Sequence, residues 1–92
     1  MGALCCLVVV PTHNEATNIE EILARLHEQV PEADVLVIDD ASTDATRTLA
    51  RSALRPNDRI VERETKSGLG NAYLHAFRIG LDEGYDLLVQ ID

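Results

Sequence analysis

Residues 4–40 read LCCLVVVPTHNEATNIEEILARLHEQVPEADVLVIDD, and within them the apolar pattern changes period twice. Leu4 to Val10 is an unbroken apolar run of strand length closed by Pro11, as expected of a strand buried on both faces. Ile19, Ile22, Leu23, Leu26 and Val30 then recur at helical spacing until Pro31 stops them. Thr17 or Asn18 is the expected cap, with Glu20 or Glu21 three residues on completing a capping box and complementing the positive end of the helix. Val35 to Ile38 is a second continuous run, and it ends on the acidic pair Asp39 and Asp40. Strand, helix, strand is the unit from which right-handed crossovers build a parallel sheet.

The alternation continues outward from this segment. Ser42, Thr43 and Asp44 offer caps for a second helix with Ala45, Leu49, Ala53 and Leu54 on its inner face, ended by Pro56. Arg59 to Glu62 is a short third strand, and Glu64 to Gly70 a loop with two glycines. Ala72, Tyr73, Ala76, Phe77, Gly80 and Leu81 mark a third helix, Gly84 sits where a C-terminal cap belongs, and Leu87 to Ile91 begins a fourth strand. The predicted class is α/β, a parallel sheet covered on both faces. At 92 residues, against about 150 per domain, there is room for one domain only.

Eight Lys and Arg against 16 Asp and Glu give a net charge of −8, which repels polyphosphate and excludes nucleic acid as a partner. No apolar run reaches the roughly 18 residues of a membrane span, and MGALCCLVVV lacks the basic start and cleavage site of a secretory signal. The expected location is cytoplasmic, with peripheral attachment at the cytoplasmic face of a membrane left open. Cys5 and Cys6 are adjacent in a strand run and are expected to be buried free thiols.

In parallel α/β sheets the ligand sits beyond the carboxyl ends of the strands. Those ends carry Pro11 to Glu15, Asp39 to Asp44, Lys66 to Gly70, and Asp92, so three of the four bear acids. Carboxylates such as Glu15 and Asp40 suit sugar hydroxyls and base N–H groups, and a divalent cation on Asp92 would neutralise a diphosphate, a pattern that suggests a nucleotide-sugar site. The competing structural readings make Glu15 a solvated loop acid and Asp39 a turn residue. ProThrHisAsnGlu stands where GxGxxG or a phosphate-binding P-loop would begin, which disfavours both common nucleotide folds. Gly68 and Gly70 read as a turn, Lys66 as a solvated lysine, His27 and His75 as surface or boundary residues, and Tyr73 and Phe77 as helix core.

VVVPTHNEATNIEEIL, VLVIDDASTDAT, KSGLGNAYLHAF and GYDLLVQID occur in that order, and together they resemble the family 2 glycosyltransferases. The GLG followed by AlaTyr and AlaPhe is most similar to the polyprenol-phosphate (dolichol-phosphate) mannose synthases. The resemblance implies a three-layer, Rossmann-like nucleotide-binding half of a GT-A domain. It implies transfer of a hexose, mannose from GDP-mannose, to a polyprenol phosphate with inversion and with Mg2+ or Mn2+. It further implies nucleotide contacts at Pro11, His13, Glu15, Ile38 and Asp40, a backbone contact at Ile91, and the first acid of an Asp-x-Asp metal motif at Asp92.

His13 stands where Tyr is common in that family, and Ala41 and Thr43 stand where Gly and Pro are common. A family catalytic domain has roughly twice this length. Residues 1–92 therefore read as one partial domain, inactive alone and completed by a C-terminal segment or a membrane-bound partner. The alternative is a noncatalytic nucleotide-binding or interaction module derived from such an enzyme. All of these readings require His13, Glu15, Asp40 and Asp92 to converge on one rim.

Overall fold

A computed structural model describes residues 4–64 and 69–91. Strands β1 (Cys6–Thr12), β2 (Asp34–Asp40), β3 (Arg59–Arg63) and β4 (Leu87–Gln90) alternate with helices α1 (Ile19–Gln29), α2 (Thr46–Ala53) and α3 (Leu69–Asp82). All neighbouring strands are parallel, in the order β3-β2-β1-β4. The sheet is held in register by pairs such as Pro11 with Ile38, Asp40 with Arg63, and Val8 with Val89.

Alternation along the strands divides the core into two layers. Val8, Val10, Val35 and Val37 pack with Ile19, Leu23 and Ala50 on the α1/α2 side. Leu7, Val9, Leu36 and Ile38 pack with Ala72 and Ala76 of α3 on the other. This is the predicted three-layer arrangement over β1 and β2. It fails over β4, where Leu87 and Val89 are 47% and 44% exposed. Val89 shares a face with its register partner Val8, and no described helix extends over β4 on that side.

Several local expectations are corrected. β2 runs through Asp40, so both acids belong to the strand. Neither α1 nor α2 has a side-chain hydrogen bond from its N-cap residue. The Glu15 carbonyl accepts from the N–H groups of Asn18 (3.0 Å) and Ile19 (2.9 Å) at the start of α1, and Asp44 accepts from Thr46 N–H (2.9 Å) at the start of α2. The buried face of α2 is Thr46 and Ala50, with Leu49, Ala53 and Leu54 at its margin and Ala45 exposed. Threonine faces the core because its hydroxyl accepts from Glu15 N–H and donates to Asp44, and a satisfied hydroxyl is tolerated there.

On α3, Ala72, Ala76 and Gly80 are buried, Tyr73 and Phe77 are half-buried with stacked rings, and Leu81 is 70% exposed rather than internal. Gly84 has φ +79°, the left-handed conformation expected of a helix-terminating glycine. Lys66 and Gly68 lie outside the described residues. Cys5 and Cys6 are free as expected, but Cys5 is exposed and Cys6 only partly buried. Cys5 precedes β1, and its N–H donates to the Asp86 carboxylate at 2.8 Å.

His27 is partly buried, a boundary residue as the sequence allowed, and it joins a buried carboxylate at the amino end of the sheet. The fully enclosed Asp58 carboxylate accepts from Val35 N–H (2.8 Å), Arg55 N–H (2.9 Å) and His27 Nε2 (2.6 Å). Among the described residues no helix is long and apolar enough to cross a membrane.

Candidate functional site

The chain builds β1, β2 and β3 outward in one direction and then crosses to place β4 on the far side of β1. Strand order therefore reverses between β1 and β4, and a crevice opens beyond their carboxyl ends. The rim beside it is made by the loop after β1, the end of β2 and Ile91 after β4.

Asp39 is the structural node of this rim. Its side chain is fully buried and accepts from Thr12 Oγ1 (2.6 Å), Ser42 N–H (3.0 Å), Ser42 Oγ (2.6 Å) and Arg47 Nε (2.6 Å). Burial pushes its carboxyl up, but the hydrogen bonds from Ser42, Thr12 and Arg47 outweigh it and hold the group below the ordinary carboxylate range. Arg47 also donates to the Arg63 carbonyl at 2.7 Å, so one guanidinium ties α2 to the ends of β2 and β3. Asp39 is thus neither a turn residue nor a free ligand-binding acid.

The loop after β1 is clasped to the turn after β2. Asn14 N–H donates to Ser42 Oγ at 2.8 Å, and the Asn14 side-chain oxygen accepts from Thr43 N–H at 2.8 Å. Asn14 and Ala41 have φ of 54° and 56°, a left-handed conformation that Asn tolerates and Ala does not favour. The turn thus retains a glycine-like shape with Ala at position 41. Asn14→Ala is expected to cost about 2 kcal/mol through the lost acceptor and the left-handed strain. Asn14→Gly should recover the strain component, as urea unfolding of both variants will show.

The predicted site residues fall into four settings. His13 and Asp40 meet directly, with His13 Nδ1 2.6 Å from the Asp40 carbonyl, and the Asp40 carboxylate lies 3.7 Å from Arg63 Nε. Pro11 is at the end of β1, and Ile91 N–H donates to Val9 O at 3.1 Å while its carbonyl accepts from Tyr73 Oη at 3.3 Å. Glu15 is set apart from this group. Its N–H is bound to Thr46 at 2.8 Å, and it lines a shallow depression of about 390 Å³ along α1 with Asn18, Glu21 and Arg25.

Ile38 has a fully buried side chain facing α3, so only its backbone can reach the rim. Asp92 lies outside the described residues. Among the described residues no group of three or more His, Cys, Asp or Glu is placed to hold a metal ion.

Sequence reasoning missed Arg47, Arg63, Asn14 and the rim-side role of Tyr73. Asn14 carried a weak signal, since Asn is the non-glycine residue most at ease with positive φ. The arginines carried none, because their partners are set by strand register.

The sheet order, the two helical layers and the rim are those of the Rossmann-like half of a GT-A glycosyltransferase domain. The solved mannosyltransferase PcManGT from Pyrobaculum calidifontis, in complex with GDP-Man and Mn2+, matches with a TM-score of 0.71 and 36% identity, covering 80% of this chain and 24% of that one. The chain belongs to glycosyl transferase family 2, which it matches over residues 7–85. It is 49% identical over 88 residues to an undecaprenyl-phosphate mannosyltransferase of Micrococcus luteus, covering 94% of this chain and 36% of that protein. It is 45% identical over 89 residues to a polyprenol monophosphomannose synthase of Mycolicibacterium smegmatis, covering 94% and 34%. The chain thus spans about a third of the length of these curated relatives.

Proposed function

We infer that residues 1–92 form one partial domain, the donor-binding half of a polyprenol-phosphate mannosyltransferase that uses GDP-mannose and inverts the sugar carbon. The meeting of His13 and Asp40 beside the β1/β4 crevice, in a chain nearly half identical to two such mannosyltransferases, carries the reading. In it the Asp40 carboxylate accepts hydrogen bonds from the nucleoside, His13 contacts the same nucleoside, and Pro11 and the backbone of Ile38 and Ile91 close the contact. Glu15 contributes from the α1 side, and Asp92 supplies the first acid for Mg2+ or Mn2+.

A bound divalent cation would offset charge on the leaving diphosphate. The work of the described residues is binding and orientation. Asp39 paired with Arg47, and Asp40 beside Arg63, reduce the negative potential that an anionic donor meets on an otherwise acidic chain. Residues beyond Asp92 would complete the metal site and hold the lipid phosphate, with the complete enzyme acting at the cytoplasmic face of a membrane.

Titration of the full-length protein with GDP-mannose and Mn2+ tests the reading. Asp40→Ala is expected to weaken binding about tenfold or more, the effect of losing hydrogen bonds to a charged acceptor. Transfer of labelled mannose to polyprenyl phosphate should fall with it and should be abolished in Asp92→Ala. Unchanged affinity in Asp40→Ala would refute the donor site. Nucleotide binding without transfer by the full-length protein would support the noncatalytic module.

A further inference from the structure

His13 is held through one ring nitrogen, and its partner dictates the state of the other. Nδ1 lies 2.6 Å from the main-chain oxygen of Asp40. A carbonyl oxygen only accepts, so Nδ1 carries the hydrogen in this contact. Neutral imidazole has a single N–H, and with Nδ1 occupied Nε2 is left as a bare lone pair. The ring is half-buried, and no described residue hydrogen-bonds to Nε2. Because Nδ1 faces β2, Nε2 is on the ring edge turned away from that strand.

The geometry points to His13 as a specificity-determining hydrogen-bond acceptor, its Nε2 taking a hydrogen bond from an N–H of the base or a hydroxyl of the ribose, in the tautomer set by the Asp40 carbonyl. This rests on the donor-binding reading above and adds to it a direction. A phenol at this position would both donate and accept, whereas the fixed imidazole only accepts. The residue that sets the tautomer also carries a carboxylate, largely buried beside Arg63, so in the donor-binding reading Asp40 supplies one acceptor directly and a second through His13.

Two measurements test the inference. Nitrogen-15 NMR of the His13 ring without nucleotide, in mildly alkaline buffer, is expected to show a protonated Nδ1 and an unprotonated Nε2. The reverse assignment overturns the inference whatever the protein binds. In titrations with GDP, His13→Phe keeps a flat ring without the acceptor and is expected to bind about tenfold more weakly. His13→Gln can place an amide oxygen near the ring's far edge and should remain within about threefold of wild type.

Comparison with 2′,3′-dideoxy-GDP identifies the donor: a Phe-to-wild-type ratio that collapses assigns a ribose hydroxyl, and one that persists assigns the base. Wild-type affinity in His13→Phe, or an equal loss in His13→Gln, overturns the acceptor role while leaving GDP binding intact. Absence of GDP binding by the wild type overturns the donor-binding reading together with it.

Discussion

Asp39→Ala is expected to lower the stability of the protein by about 3–5 kcal/mol, the cost of leaving a buried, hydrogen-bonded charge without its partner. The loss is large against the roughly 5–14 kcal/mol that a domain of this size holds. Four donors converge on the carboxylate, and alanine leaves the Arg47 guanidinium, the Thr12 hydroxyl and the Ser42 N–H without it. Asp39→Asn keeps the shape but turns an amide N–H toward Arg47 or Ser42, so its cost should be intermediate.

The pH dependence has a definite sign. The folded carboxyl is held below its ordinary value, so its stabilising contribution is fully present above about pH 4. It is lost as pH falls through the lower folded value. The gap between wild type and Asp39→Ala in urea unfolding should therefore be widest near neutrality and shrink in acid. A gap that is small at neutral pH, or that grows on acidification, would contradict the assignment of Asp39 as the rim's structural node.

The second large effect is expected at the opposite end of the sheet. Asp58→Ala should cost about 2–4 kcal/mol, because the N–H groups of Val35 and Arg55 lose their acceptor and each buried unsatisfied donor is worth about 1–3 kcal/mol. Burial raises the Asp58 carboxyl, but the Arg55 and Val35 N–H groups and His27 outweigh it and bring it below the ordinary range. Its contribution is thus present above about pH 4 and fades in acid in the same sense as that of Asp39.

His27→Ala removes one of these donors and should cost less, about 1 kcal/mol. A double-mutant cycle with Asp58→Ala should show the two changes to be non-additive, since they share one hydrogen bond. Asp58 lies at the amino end of β3, away from the rim. Below its unfolding temperature Asp58→Ala should therefore retain nucleotide affinity, which separates it from Asp40→Ala.

Element order and type were legible in residues 4–40 and their continuation because a change of apolar period is a local property. Pro31, Pro56 and Gly84 ended runs where the chain does turn, whereas β1 continues through Pro11 to Thr12. The family was legible for a related reason: its motifs are short, contiguous and placed at strand ends. The errors fell where a polar group takes a core position through a partner distant in sequence. Thr46 was passed over for Ala45 because nothing local shows that Glu15 N–H and Asp44 would satisfy its hydroxyl. His27 was placed at the surface or boundary without a partner, because Asp58 is 31 positions away.

From its amino acids alone this protein was determined to be an alternating α/β chain of family 2 character with acids at its strand ends. Only the tertiary structure separated those acids: both are buried, but Asp39 is tied as a node by Thr12, Ser42 and Arg47, whereas Asp40 has its carboxylate beside Arg63 and its carbonyl on the ring of His13. The reason is physical. Periodicity encodes which face of an element is apolar, whereas the partner of a buried charge depends on strand order and register, which join residues about 30 positions apart only once the sheet has formed.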